Sequence, residues 1–248
     1  MLRSANEITG YVLAAEDGDI GRCKDFLFDD REWVIRYMVA DTRKWLPGRK
    51  VLISPMSLEQ PDWSARRFPV HLTKERVKEC PSLDEDQPVA RQHEKDLHLF
   101  YGYPFYWVGT DLWGTAATPS ALRDAARTRL MEDPEPEGDP HLRSVDEIDG
   151  YHIAARDGEV GHVEDLILDD ESWVVRYLVV DTRNWLPGRK VLIPPPWVED
   201  FDWLEEKARV DLTQDQIENS PEFDPDTPVN RDYESRLYDY YGRPVYWK

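Results

Sequence analysis

The chain has 248 residues, 33% of them charged, and carries 31 basic against 50 acidic side chains for a formal net charge of −19. Such a surface repels phosphate backbones and anionic headgroups, so nucleic acid is not an expected partner and binding to acidic lipid is disfavoured. With 10 Trp and 12 Tyr the chain is too aromatic for a disordered one, and it is expected to fold around cores that are small for its length.

The N-terminal stretch Met1–Gly10 has no apolar core of secretory-signal length. Tyr11–Ala15 is a short apolar strand, and Asp17-Gly18 after it is a hairpin-turn dipeptide. Cys23–Phe28 and Trp33–Ala40 are the next strands. The second reads W-V-I-R-Y-M-V-A, apolar on both faces, as a central strand would be. Asp41 to Gly48 is a turn, Lys50–Ile53 a strand, and Val70–Leu72 a short last strand. Thr73 then starts a helix. A longer helix begins at Pro88, with Val89, His93, Leu97 and Tyr101 forming one stripe and Gly102 as its C-cap. Five short strands with tight turns, followed by helices, predict a mainly β fold with α, built on a small barrel or sandwich. A barrel of ~70 residues is marginal alone, so the helical stripe is expected to pack on it.

Residues 108–143 read as a connector, with a short helix over Ser120–Met131 capped by Thr118 and Pro119 and an acidic Pro/Gly linker after it. From Ser144 onward the first segment repeats. Position n matches position n+140 without a gap from Ser4/Ser144 to Trp107/Trp247, and 50 of these 104 pairs are identical. A period this long means two copies of a whole domain, at 4–107 and 144–247. In the second copy Thr213-Gln214-Asp215-Gln216 has capping-box spacing, and Val229, Tyr233, Leu237 and Tyr241 repeat the stripe. Charge is shared unequally: the first copy has 15 basic and 18 acidic residues (net −3), the second 10 and 25 (net −15). No apolar run approaches the ~18 residues of a membrane span. Cysteines number 2, Cys23 and Cys80, too few for a disulfide scaffold. A cytoplasmic protein without a transmembrane segment is expected.

The pattern G-Y-x-x-A-A-x-D-G-x-x-G, followed by D-T-R-x-W-L-P-G-R-K-V-L-I, occurs in both copies and resembles the PRC-barrel family. The tail Y-Y-G-R-P-V-Y-W resembles the extension of bacterial PRC-barrel proteins. The resemblance implies two tandem small β-barrels with C-terminal helices. It also implies an interaction module in place of an enzyme: a non-catalytic protein-binding or scaffold protein. By analogy with the reaction-centre H subunit in that family, an accessory subunit of a membrane electron-transfer complex is one alternative; an uncharacterised enzyme such as a hydrolase is another.

No catalytic, cofactor or metal site is expected. None of the 6 His faces a His in the other copy, and no phosphate-cradling or nucleophile-elbow motif occurs. The acid pairs Asp29-Asp30 and Asp169-Asp170 sit beside turns, where carboxylates bond local backbone. The most distinctive block holds Arg43, Trp45, Arg49 and Lys50, repeated as Arg183, Trp185, Arg189 and Lys190. It is either a docking loop with Trp as anchor and Arg for a partner's carboxylates, or a turn whose Trp closes the barrel. The expected partner is a protein, a basic one given the acidity of the second copy. The copies are expected to pair as an internal pseudo-dimer.

Overall fold

The computed structural model describes residues 1–84, 87–126, 141–182 and 189–247. In chain order the elements are β1 (Leu2–Ser4), α1 (Ala5–Ile8), β2 (Val12–Ala15), β3 (Gly18–Asp29), β4 (Val34–Asp41), β5 (Val51–Ile53), β6 (Arg67–Pro69), α2 (Lys74–Glu79), α3 (Arg91–Tyr101) and α4 (Pro119–Ala126). They continue as β7 (Leu142–Ser144), α5 (Val145–Ile148), β8 (His152–Ala155), β9 (Gly158–Asp169), β10 (Val175–Asp181), β11 (Lys190–Ile193), β12 (Val198–Asp202), β13 (Lys207–Val210), α6 (Gln214–Glu218) and α7 (Arg231–Tyr241). The chain divides into two compact units that are not contiguous in sequence. One comprises Glu7–Ser144 with Glu171–Val174; the other comprises Met1–Asn6, Val145–Asp170 and Val175–Lys248.

The first unit is a mixed sheet in the order β5-β4-β3-β2-β6, with β7 also on β3. Asp17-Gly18 makes the β2–β3 hairpin, as expected: the two strands pair antiparallel from Ala15↔Gly18 to Val12↔Arg22. A bulge between Leu13 and Ala14 shifts the register. Near it β3 bends so closely to β4 that a Cβ at Gly21 would overlap the Asp41 carbonyl. Only glycine fits there. At the β3–β4 turn the Asp29 carboxylate accepts from Arg31 N and Glu32 N, and Trp33 takes a left-handed φ of 55°. The last strand is Arg67–Pro69, not Val70–Leu72, and it pairs parallel to β2. Val70 adds an isolated bridge to Leu58 and donates its N–H to the Ala14 carbonyl.

Neither sheet closes into a barrel, which corrects that expectation. Between β5 and β6 the chain runs through a 3-10 turn, Pro55–Ser57, capped by the Ser54 hydroxyl. In the second unit the same gap holds Pro194, Pro195 and Pro196 ahead of Trp197. Proline has no N–H to donate, so the ladder cannot continue through these positions.

The second unit orders its strands β11-β10-β9-β8-β13-β12, with β1 on β9. Its long strand, β9, repeats the β3 hairpin geometry, with Ala155↔Gly158 at the turn.

The helices over the first sheet begin later than the Pro88 signal suggests. Ala90 is the N-cap of α3, and Val89 lies outside the helix. The buried residues of α3 are Glu94, Leu97 and His98; of the expected stripe, Val89 and Leu97 are in the core, Tyr101 packs against it and His93 is half-buried. Leu97 packs with Tyr37, Val39, Leu52, Cys80 and Leu83 in one cluster, so α3 adds its core to that of the sheet, as inferred from size. In the second unit Asn230 caps α7 by accepting from Tyr233 N, and Tyr233, Glu234, Leu237 and Tyr238 are buried.

Candidate functional site

The Asp41–Lys50 turn folds on itself. The Thr42 carbonyl accepts from Trp45 N and Leu46 N, and the Thr42 hydroxyl donates to the Leu46 carbonyl. Trp45 donates Nε1–H to the Ile20 carbonyl at 2.6 Å, with the Lys74 ammonium 5.0 Å from its ring centroid. Arg43 binds its own neighbour Asp41 through Nε and Nη2 at 2.9 and 2.6 Å. That hydrogen bonding holds the Asp41 carboxyl down at about 2. Arg49 donates to the carbonyls of Lys78 and Cys80, both at 2.8 Å, at the C-terminal end of α2 where helix carbonyls lack partners. Lys50 donates to the Gln87 carbonyl at 2.6 Å.

In the second copy Arg189 donates to the Ser220 carbonyl, the counterpart of Cys80, and Lys190 pairs with Glu164. Arg183 and Trp185 lie outside the described residues. The structure therefore brings Arg49 and Lys50 onto backbone carbonyls of their own unit and Trp45 onto a strand. Arg43, Lys44, Pro47 and Gly48 are the exposed part of the turn.

A second constellation, missed by the sequence reading, lies where α3 crosses β4. Glu94 is fully buried. Its Oε1 accepts from the Tyr106 hydroxyl at 2.6 Å and its Oε2 from Arg91 at 2.7 Å. Arg91 also donates to the Tyr106 oxygen at 2.9 Å. Arg36, central in β4 and 3% exposed, lies 4.1 Å over the Tyr106 ring and 5.0 Å over that of Trp113, and donates to the Leu112 carbonyl. One turn on, His98 is also fully buried. Its Nδ1 is 2.8 Å from the Pro104 carbonyl and its Nε2 is 3.1 Å from the Tyr37 hydroxyl. A carbonyl only accepts, so Nδ1 carries the proton, and in the neutral ring Nε2 accepts from Tyr37.

Burial governs the electrostatics of this cluster. It lifts the Glu94 carboxyl to about 7, against the pull of Arg91 and Tyr106 toward the charged form. It lowers the His98 imidazole to about 4. Tyr37 and Tyr106 are pushed well up by the same desolvation. Beside His98 is a small cavity lined by Tyr37, Leu52, Ser54, Ser57, Leu97 and Tyr103, with room for about one water molecule. The cluster is thus a closed, hydrogen-bonded clamp of helix to sheet.

Much of the clamp recurs in the second unit. Tyr177 and Tyr246 donate to Glu234 Oε1 at 2.8 and 2.7 Å, Arg231 pairs with Glu234 at 3.1 Å, and Arg176 lies 4.1 Å over the Tyr246 ring. Tyr238 stands where the first unit has His98. A sequence signal did exist. Arg36 and Arg176 interrupt strands that are otherwise apolar, and a charge in such a strand demands a buried partner.

The exposed surface of the second unit has a distinct feature. The β12–β13 hairpin presents Leu204 with 94% of its surface exposed, next to exposed Glu205 and Glu206 and on the same hairpin as exposed Glu199 and Asp200. Phe201 and Trp203 on the same hairpin stack with ring centroids 5.1 Å apart. The matching turn of the first unit reads Ser64-Ala65-Arg66.

Residues 141–217 match the family of the PRC-barrel domain. The matched stretch holds β7 through β13 and the cap and most of α6. No curated protein matches the chain. Among the described residues no cluster of three metal-ligating side chains occurs, and no helix is long and apolar enough to cross a membrane.

Proposed function

We propose that the chain is a non-catalytic binding protein built from two related PRC-barrel-type modules, and that the second module carries the contact with a basic protein. The observation that carries this reading is the β12–β13 hairpin: a leucine 94% exposed, next to exposed Glu205 and Glu206 and on the same hairpin as exposed Glu199 and the Arg209-paired Asp200. An apolar knob in a negative field suits a partner with an apolar recess rimmed by Lys or Arg, which the field attracts and the leucine anchors. The absence of this arrangement from the first module, Ser64-Ala65-Arg66, makes the two modules unlike in surface while alike in sheet order. The titratable groups of the first module support a non-catalytic role. Glu94, His98, Cys23 and Cys80 are buried, the first two inside the helix clamp.

The test uses a labelled amphipathic peptide of alternating helical Lys and Leu, titrated with the full chain by fluorescence anisotropy. The triple variant Leu204→Ser, Glu205→Ala, Glu206→Arg, which installs the first-module residues, is titrated in parallel. The proposal expects binding by the unmodified chain and at least ten-fold weaker binding by the variant. Equal binding by both would remove the hairpin from the account.

A further inference from the structure

Each unit contains one short strand from outside its own copy of the repeat, and the two strands have the same sequence. Leu2-Arg3-Ser4 forms β1 on β9, and Leu142-Arg143-Ser144 forms β7 on β3. The registers are equivalent. Leu2 lies opposite Asp169, Arg3 opposite Leu168 and Ser4 opposite Ile167; Leu142, Arg143 and Ser144 lie opposite Asp29, Phe28 and Leu27.

The side chains repeat as well. The Ser4 hydroxyl donates to Asp165, and that of Ser144 donates to Asp25 at 2.6 Å. Arg3 lies 3.6 Å from Asp170, and Arg143 lies 3.5 Å from Asp30. The backbone N–H of Asp170 donates to the Met1 carbonyl and that of Asp30 to the His141 carbonyl, both at 2.9 Å. Asp165 Oδ1 further accepts from Asn6 N at 3.0 Å. The second aspartate of each recurring pair, Asp30 and Asp170, and the aspartate five residues before it, Asp25 and Asp165, therefore contact an extended Leu-Arg-Ser segment.

We propose that the stretch of β9 that pairs with β1, beside Asp165, Asp169 and Asp170, is a peptide-binding slot for an extended apolar–Arg–Ser segment, and that the occupant supplied from outside is the N-terminal strand of a second copy of this chain. Backbone hydrogen bonds of a strand added to a sheet edge provide affinity, and side-chain sites provide selectivity. Here the selective sites are the Asp165 carboxylate for the serine hydroxyl and Asp170 for the guanidinium. The second copy is the occupant that the chain itself indicates. One tripeptide serves both slots, so the slots do not distinguish which segment delivers it. The resident strand is held by a ladder of only three residues, a short element whose exchange between identical chains follows the usual route of strand swapping.

The experiment removes the resident strand. A chain starting at Ala5 is titrated with a fluorescein-labelled peptide of residues 1–8, read by anisotropy, with circular dichroism confirming its fold. One peptide per chain is expected to bind. An unlabelled peptide of residues 141–148 is expected to compete, and the Arg3→Glu peptide to bind at least ten-fold more weakly. If the shortened chain does not fold, the unmodified chain is incubated with excess labelled peptide, which is expected to exchange in and to fail to do so in the Asp170→Lys variant. Sedimentation of the unmodified chain is expected to show a dimer that grows with concentration and is lost on Arg3→Glu. A folded chain that ignores the peptide, or binds the Arg3→Glu form equally, overturns the slot. A unmodified chain that stays monomeric at all concentrations overturns the second copy as occupant.

Discussion

Substituting Glu94 by Gln isolates the ionisation of one buried carboxyl, and the structure sets both the sign and the size of the effect. In the unfolded chain Glu94 titrates near 4.5; in the folded chain burial lifts it to about 7. Between these values the native state holds a proton that the unfolded state has lost, so this group reduces stability as pH rises through the window. At about 1.36 kcal/mol per unit, the change between pH 5 and pH 8 is about 2.5 kcal/mol. His98 acts in the opposite direction. Its folded value, about 4, lies below the ordinary 6.5, so its contribution to stability is present above 6.5 and is lost as pH falls toward 4. The two slopes nearly cancel in the unmodified protein and emerge only when one group is removed.

The assay is urea unfolding of the unmodified chain and of Glu94→Gln at pH 5, 6, 7 and 8, followed by tryptophan fluorescence. Replacing the acid by an amide changes its hydrogen bonds to Arg91 and Tyr106 by an amount common to the series, so the informative quantity is the change in the difference with pH. The variant is expected to gain about 2.5 kcal/mol on the unmodified protein from pH 5 to pH 8. A difference that stays flat across that range would refute the argument that burial outweighs Arg91 and Tyr106 at this carboxyl.

Other outcomes follow from the same contacts. Arg49→Ala removes two hydrogen bonds from the carbonyls of Lys78 and Cys80 and is expected to lower the urea midpoint by an amount worth about 1–3 kcal/mol. Gly21→Ala drives a Cβ into the Asp41 carbonyl and is expected to cost about 1–3 kcal/mol, read by thermal unfolding. Gly10→Ala meets no neighbour and strains only a φ of 88°, so the clash at Gly21 predicts the larger loss. Cys23 and Cys80 are both buried, and a thiol reagent is expected to label neither at a measurable rate until denaturant is added.

The legible parts of the fold were those with local causes. Asp17-Gly18 marked its hairpin because the turn needs a positive φ, which Gly18 adopts at 136°. Thr73 and Thr213 marked helix starts because their hydroxyls accept from Arg76 N and Gln216 N. Gly102 and Gly242 marked helix ends in the left-handed conformation. What escaped depends on contacts between distant residues. Strands β1 and β7 have three residues each, too few to display a period. The parallel β2–β6 pairing has no local signature, and the bearing of the prolines at the sheet gap on closure shows only once the strand order is known. The spacing of Val89, His93, Leu97 and Tyr101 located part of the core, since Val89 and Leu97 are buried in it and Tyr101 packs against it, but it left out Glu94 and His98, because a buried Glu94 does not resemble a core residue until its partners Arg91 and Tyr106 are known. Nothing local to the distinctive turn separates docking from a structural role, because the carbonyls bound by Arg49, Lys50 and Trp45 are distant in sequence.

The measurement that bears most directly on the proposed binding role is affinity capture from native lysate with the immobilised full chain and, in parallel, the Leu204→Ser, Glu205→Ala, Glu206→Arg variant, each at low salt and again well above ~0.15 M, where the Debye length falls below about 8 Å. The account predicts that basic proteins are retained by the unmodified chain at low salt, are released as salt rises, and are depleted from the variant. A retained set that is the same for both chains and insensitive to salt would contradict it.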